Sequence, residues 1–346
     1  MPVHYIKSFT DVNALIQSWG IENYYVITDH NCETHCVSKL LGGQKLPTGR
    51  IFSFEPGEKN KTLHTFENGI ELLSQNNLSR KDCILNIGGG ITTDLGGFVA
   101  ACYKRGIDFI NIPTSLLAMV DAAHGGKVGV NHKHLKNYIG SFKPAKHTII
   151  CPEFLKTLPS DELESGFAEM LKHGLIADSD YWHDLISIDV QHTTASNWLN
   201  YIKTSIDIKS AIVSNDPLET GERKILNFGH TVGHAIESHL LHANTPVHHG
   251  NAVAAGMVIE AHIGISVTDL NSQSADAIKN HILSTYGKIP IHRDDIDRLI
   301  ELMLADKKNH NDNVRMSLLN DIGDCGYDIP VSEELMRNAL LYYIDL

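Results

Sequence analysis

Apolar residues in the first 150 positions fall into short blocks. "YYVITD" (24–29), "RIFSF" (50–54), "CILNIG" (83–88), "DFINIP" (108–113) and "HTIIC" (147–151) are rich in β-branched or aromatic residues. Blocks of that length and composition predict strands. Between several of them run helical patterns, such as "KTLHTFENGIELLSQNN" (61–77). Strands alternating with helices predict a parallel sheet. After Cys151 the strand signals thin out. "SDELESGFAEMLKHGLIA" (160–177) opens on Ser160, a favourable N-cap, with two acids in the first turn. Leu163, Phe167, Met170 and Leu171 then form an i, i+4, i+7, i+8 stripe. The expectation is an α/β N-terminal domain over 1–151 with a parallel, Rossmann-like sheet. A mostly α-helical C-terminal domain is expected over 152–346.

Composition narrows the class. A chain of 346 residues favours two domains, and 42% hydrophobic residues supply a sizeable core. The formal charge of −12 argues against a nucleic-acid partner. No apolar run reaches ~18 residues, so no membrane span is expected. The start "MPVHYIKSFTD" lacks a signal-peptide pattern. Cys32, Cys36, Cys83, Cys102, Cys151 and Cys325 show no disulfide-scaffold spacing, which points to free thiols in the cytoplasm. "CETHC" (32–36) has no second ligand pair, which disfavours a zinc knuckle.

Chemistry concentrates in "NFGHTVGH" (227–234). His230 and His234 are four apart, so a helix stacks them on one face. If that helix extends backward, Asn227 and Arg223 join the stripe, with Ile225, Phe228, Val232 and Ile236 on the core side. Gly229 and Gly233 each cost a helix interior about 1 kcal/mol relative to Ala, which implies a close neighbour for the backbone. The bland alternative is a surface helix in a chain with 21 histidines.

"NIGGGITTDLGGFVAA" (86–101) reads as strand, glycine turn and helix. Gly88, Gly89 and Gly90 let a backbone approach a pyrophosphate, and the helix start favours the anion. This is not G-x-G-x-x-G, so the inference rests on the turn lying at a strand's carboxyl end. "PGEKNKT" (56–62), with Glu58 and Lys61, and "TDHN" (28–31), with Asp29 and Asn31, follow two other strands. Taken singly, each is equally a solvated turn.

A catalytic zinc takes three protein ligands and leaves a position open. His230, His234, His248, His249 and nearby acids are candidates, and spacing does not choose among them. Glu169 and Lys172 in "FAEMLKHG" (167–174) lie off the apolar stripe. Their bland reading is an exposed i, i+3 ion pair worth ~0.3 kcal/mol. The histidine spacing is not H-E-x-x-H, which disfavours a metalloprotease.

The ordered set "GGGITTDLGGFVA", "YKRG", "IPTSLLAMVDAAHGGKVGVN", "LKNYIG", "FLKTLP", "FAEMLKHG", "LNFGHTVGHAIE", "HHGNAVAAGM" and "DKKN" resembles that of 3-dehydroquinate synthases, in the sugar-phosphate cyclase family. The resemblance implies an active site in the cleft between the domains, with NAD and zinc (or cobalt) as cofactors. It implies Glu169, His230 and His249 as metal ligands, and His234 as a proton-transfer group near a phosphate. The implied substrate is 3-deoxy-D-arabino-heptulosonate 7-phosphate, converted to 3-dehydroquinate and phosphate in aromatic amino-acid biosynthesis. Its anionic groups would meet Lys127, Lys136, Asn137, Lys172, Lys209, Arg223 and Asn227. A lysine of "DKKN", either Lys307 or Lys308, would join them. Asp121 would lie near the metal, and Arg105 would reach a neighbouring subunit's site in a homodimer. NAD would meet Asp29, Asn31, Glu58, Lys61, Gly89 and Gly90, together with Asp94, Thr114, Ser115, Phe154 and Thr157.

Some positions depart from the family pattern. Asn251 replaces the usual acid after "HG", and "DAAHGGKV" carries His124 and Val128 where "DSS-x-GGKT" is common. Ser115 replaces a threonine and keeps the hydroxyl. No proposed metal ligand or cation is lost. Rival expectations are another cyclase of the family, a metal- and NAD-dependent polyol dehydrogenase, and an inactive zinc-binding scaffold. The density of Lys and Arg in the motifs favours a phosphorylated substrate.

Overall fold

The computed structural model describes residues 2–21, 23–42, 49–133, 135–306 and 313–346. They fall into two compact units: Met1–Pro159 with Thr193–Ile206, and Ser160–His192 with Asp207–Leu346.

The first unit contains β1 (Val3–Tyr5), β2 (Tyr24–Asp29), β3 (Ile51–Phe54), β4 (Cys83–Gly88), β5 (Asp108–Pro113), β6 (Lys127–His132), β7 (Leu135–Phe142) and β8 (His147–Ile150). Six of these strands form one parallel sheet, in the order β1-β8-β5-β4-β2-β3. The chain leaves β2 toward β3 and leaves β4 toward β5, so the winding reverses between β2 and β4. Open α/β sheets bind ligands beyond the carboxyl ends of strands at such a point. Every residue of β4 is buried, as a strand covered on both faces requires.

The helix Gly90–Cys102 lies hard against this sheet. A Cβ on Gly96 would sit 2.0 Å from Asn86 Oδ1, and one on Gly97 would sit 2.4 Å from Val128 Cγ1. Val128 is itself buried, so this departure from the family pattern is a packing residue. His124 is buried too, with Nε2 2.7 Å from the Met119 carbonyl. The antiparallel hairpin β6–β7 has no counterpart in the sequence reading.

The second unit is mainly helical: Ser160–Ala177, Ser179–Leu185, His230–His242, His249–Val267, Ser272–Tyr286, Ile296–Asp306 and Glu333–Asp345. His249–Val267 is central and packs against Ser160–Ala177, His230–His242, Ser272–Tyr286 and Glu333–Asp345. By length and mean hydropathy it could cross a membrane, although His249, Asn251, Glu260 and His262 break any continuous apolar run. Yet 72% of its apolar window is buried inside the unit, as in a core helix. An antiparallel hairpin, β9 (Asn313–Asp321) and β10 (Asp324–Ser332), interrupts the helices.

Candidate active site

Three helices of the second unit bring their chemistry to one point. Glu169 and Lys172 lie one turn apart on Ser160–Ala177, while His230 and His249 are each the first residue of a helix. Glu169 Oε1 lies 3.4 Å from His230 Nε2 and 3.5 Å from His249 Nε2. Ligands ~2.0–2.1 Å from a tetrahedral zinc stand about 3.3–3.4 Å from one another. The two measured edges therefore match a tetrahedral ion's ligand shell.

Ring tautomers support the same conclusion. His230 Nδ1 donates to the Phe228 carbonyl at 3.0 Å, and His249 Nδ1 lies 3.3 Å from Glu237 Oε2. A carbonyl can only accept, so the neutral His230 ring keeps its lone pair on Nε2. Two Nε2 atoms thus face one carboxylate oxygen. That Oε1 is buried and accepts no well-formed hydrogen bond from the described residues. Such an arrangement can hold a cation at its centre, with Phe228 and Glu237 orienting the rings from behind. The nitrogens of His230, His234 and His249 also lie within 4.8 Å of one another. The set containing Glu169 differs in offering a buried carboxylate oxygen that accepts no well-formed hydrogen bond from the described residues.

The Glu169–Lys172 pair is not an exposed one. Lys172 Nζ lies 2.5 Å from Glu169 Oε2, with the side chains 1% and 0% exposed. The helix is buried almost all round, so the wheel's off-stripe face is a second interior face. Burial would raise the Glu169 carboxyl, but Lys172 and His230 hold it well below the usual range. Burial pulls His230 down. At His249 burial acts the same way, but Glu169 and Glu237 outweigh it and push the imidazole up to about 10.

The single polar stripe expected from Arg223 to His234 does not form. The helix starts at His230, after Gly229 in a left-handed conformation (φ 78), while Glu222–Asn227 is a separate 3-10 turn. Gly229 and Gly233 do have a close backbone neighbour. A Cβ on Gly229 would sit 3.0 Å from the Val253 carbonyl, and one on Gly233 3.0 Å from that of Ala252. Arg223 and Asn227 are gathered instead by Glu219, which sequence reading missed. Glu219 accepts from Asn227 Nδ2 at 2.9 Å and lies 3.9 Å from Arg223 Nε. Its backbone is left-handed at φ 61, rare away from glycine and no feature a residue type announces. Lys209 is buried on the helix Ala195–Asn215. Asn251 Oδ1 is buried and accepts no hydrogen bond from the described residues.

In the first unit the strand-end loops converge as the sheet dictates. Asp29 ends β2, and Gly89 and Gly90 start the helix after β4, on either side of the winding reversal. Thr92 Oγ1 lies 3.4 Å from Asp29 Oδ2, and the Thr114 amide after β5 donates to the Gly88 carbonyl at 3.0 Å. Lys61, 3% exposed, pairs with Asp94 at 2.6 Å and also bonds Asn137 Oδ1. Asn131 joins this group, donating to Glu58 Oε1 at 2.8 Å and accepting from the Asn137 amide at 2.8 Å. Burial raises the Asp94 carboxyl, and Lys61 opposes that. Ser115 and Phe154 are buried, Phe154 against Phe9, and Thr157 Oγ1 bonds the Phe154 carbonyl. Asn31, Lys127, Lys136 and Arg105 are exposed, and Asp121 is half-buried in the π-helix Ala118–Ala122. Lys307 and Lys308 lie outside the described residues.

Comparison with known proteins shows the family. A family model described as the 3-dehydroquinate synthase N-terminal domain matches residues 51–165, and its C-terminal counterpart matches 166–309. A 3-dehydroquinate synthase of Parabacteroides distasonis is 36% identical over 96% of this chain and 95% of its own. One from a Sulfurovum species is 36% identical over 95% and 93%. A crystal structure of 2-deoxy-scyllo-inosose synthase, complexed with carbaglucose-6-phosphate, NAD+ and Co2+, shares the fold. Its TM-score is 0.85 at 24% identity, covering 99% of this chain and 96% of the other. With both halves matched and full-length relatives above a third identical, the chain belongs to the 3-dehydroquinate synthase family.

Proposed function

We propose that the chain converts 3-deoxy-D-arabino-heptulosonate 7-phosphate into 3-dehydroquinate and phosphate, as an NAD- and divalent-metal-dependent carbon–oxygen lyase. The observation that carries the metal part is the meeting of Glu169 Oε1 with His230 Nε2 and His249 Nε2 at 3.4 and 3.5 Å. When bound there, zinc or cobalt supplies Lewis-acid polarisation of a substrate carbinol, and NAD supplies a reversible hydride acceptor.

The chain's own residues hold and orient. Lys172 keeps Glu169 charged, and Glu237 and Phe228 fix the two imidazoles. His234, one turn beyond His230, moves a proton on the substrate. Arg223, Asn227 and Lys209 take its anionic groups, with Glu219 setting the angle of the first two; Lys127, Lys136 and Asn137 add to them. Gripping both ends of a flexible sugar acid selects the conformer that reacts. In the first unit Asp29, Glu58, Gly89, Gly90 and Thr114 line the NAD loops. The net charge of −12 is an average over the surface and leaves room for such a basic site.

Arg105 is exposed with φ 67, between Lys104 at φ 48 and Gly106 at φ 112. Holding an exposed arginine in a costly conformation suits a residue presented to a second subunit in a homodimer. The six free cysteines suit a reducing compartment, and we assign the enzyme to the cytoplasm.

Arg223→Ala tests the anion role. Losing a charged, directed hydrogen bond costs about 1.5–3 kcal/mol, so KM for the phosphorylated substrate should rise about 10–100-fold. The Kd for NAD should stay unchanged. A weakened NAD complex with an unaltered KM would remove the assignment.

A further inference from the structure

The helix that begins with His230 has no capping side chain of its own, because its N-cap is Gly229. No larger residue fits there. A Cβ on Gly229 would lie 2.6 Å from Met257 Cγ and 3.0 Å from the Val253 carbonyl, in a backbone already at φ 78. From the other side, a Cβ on Gly256 would lie 2.0 Å from the Gly229 carbonyl. The start of the histidine helix is thus jammed against the helix His249–Val267, with glycine on both sides of the contact.

That second helix also supplies the missing cap. Glu260, one turn past Gly256 and 0% exposed, accepts from the Gly229 amide at 2.7 Å and from the Val232 amide at 2.9 Å. Gly229 is the N-cap and Val232 the third helical residue. A capping box satisfies those same two donors with two side chains of one segment. Here a single carboxylate does both, 28 residues from the nearer donor. Its charge also meets the positive end of the helix dipole.

We propose that Glu260 is a positioning residue for the metal site: it fixes the first turn of the histidine helix and so the place of His230. The inference rests on the metal reading above, since it concerns one of that site's ligands. The His230 ring hangs from the first residue of a turn whose end amides are held by Glu260. Freeing those amides lets the turn fray, and the His230–Glu169 separation is no longer set before the ion arrives. Groups that orient metal ligands are worth about 10–100-fold in affinity.

The test uses cobalt, whose absorption bands report ligand geometry. Purified wild type and Glu260→Gln are stripped and titrated with Co2+ against a competing chelator, and NAD binding is measured in parallel. Glutamine keeps the shape but turns an NH2 group toward an N–H donor. Its cobalt Kd should rise about 10–100-fold, with altered bands and an unchanged NAD Kd. Wild-type cobalt affinity and spectrum in Glu260→Gln, even at a lowered Tm, would overturn the inference and leave the metal reading intact. If Glu260→Gln does not fold, Glu260→Asp keeps the charge and withdraws it by one methylene. It should bind cobalt less tightly than wild type, and equal affinity would overturn the inference. A wild type that takes up no cobalt would instead sink the metal reading itself.

Discussion

Glu169→Gln should lose its bound metal and about 3–5 kcal/mol of stability together, the cost of breaking a buried ion pair from one side. Glutamine preserves the volume and removes the charge. Lys172 Nζ, 2.5 Å away on a side chain 1% exposed, then loses the carboxylate that compensates its own charge. The other oxygen of the same carboxylate, Oε1, faces both Nε2 atoms, so the proposed metal ligand goes in the same substitution. Chemical denaturation and metal analysis measure the two losses separately. Adding Lys172→Met should recover much of the stability, because no buried charge is left over, but none of the metal. A Glu169→Gln protein as stable and as metal-loaded as wild type would contradict both roles.

His249→Ala should abolish stoichiometric metal and lower turnover about a thousandfold or more, since several kcal/mol of charge stabilisation depend on the ion. The substitution removes one of the two measured 3.4–3.5 Å edges around Glu169 Oε1. It also takes one partner of Glu237. His234→Ala separates the two ligand sets that the geometry allows. If Glu169 is the third ligand, His234→Ala keeps its metal and loses turnover. If the three histidines hold the ion, it loses the metal too. Full turnover in a metal-free His249→Ala protein would remove the metal from the reaction.

Much of this molecule is legible in its residues, and the failures have physical causes. β2, β4, β5 and the helix Ser160–Ala177 have the bounds that their apolar blocks suggest. Each is a buried or amphipathic run whose pattern follows directly from what it packs against. β7 leaves no such trace. Leu135, Tyr138 and Phe142 are 51%, 67% and 55% exposed, so no buried face imposes an alternation. β9 is different: Val314, Met316 and Leu318 put apolar residues at period two, a readable signal among helical neighbours, while burial there runs on through Ser317 and Leu319. Whether the helix carrying His230 extends back to Arg223 is not legible, because periodicity counts residues and is blind to a left-handed glycine. Glu169 and Lys172 looked solvent-facing because a wheel assumes one buried face, and this helix has more. The proposed metal centre draws on three helices. Spacing within one segment cannot join them, which is why resemblance to a family selected the ligands.

The most direct test is release of inorganic phosphate from 3-deoxy-D-arabino-heptulosonate 7-phosphate by the purified protein with NAD and zinc. Phosphate should appear with 3-dehydroquinate in equal amount, stop when a chelator strips the metal, and resume when zinc or cobalt is restored. No release with every component present, or release indifferent to both NAD and metal, would contradict the proposed reaction.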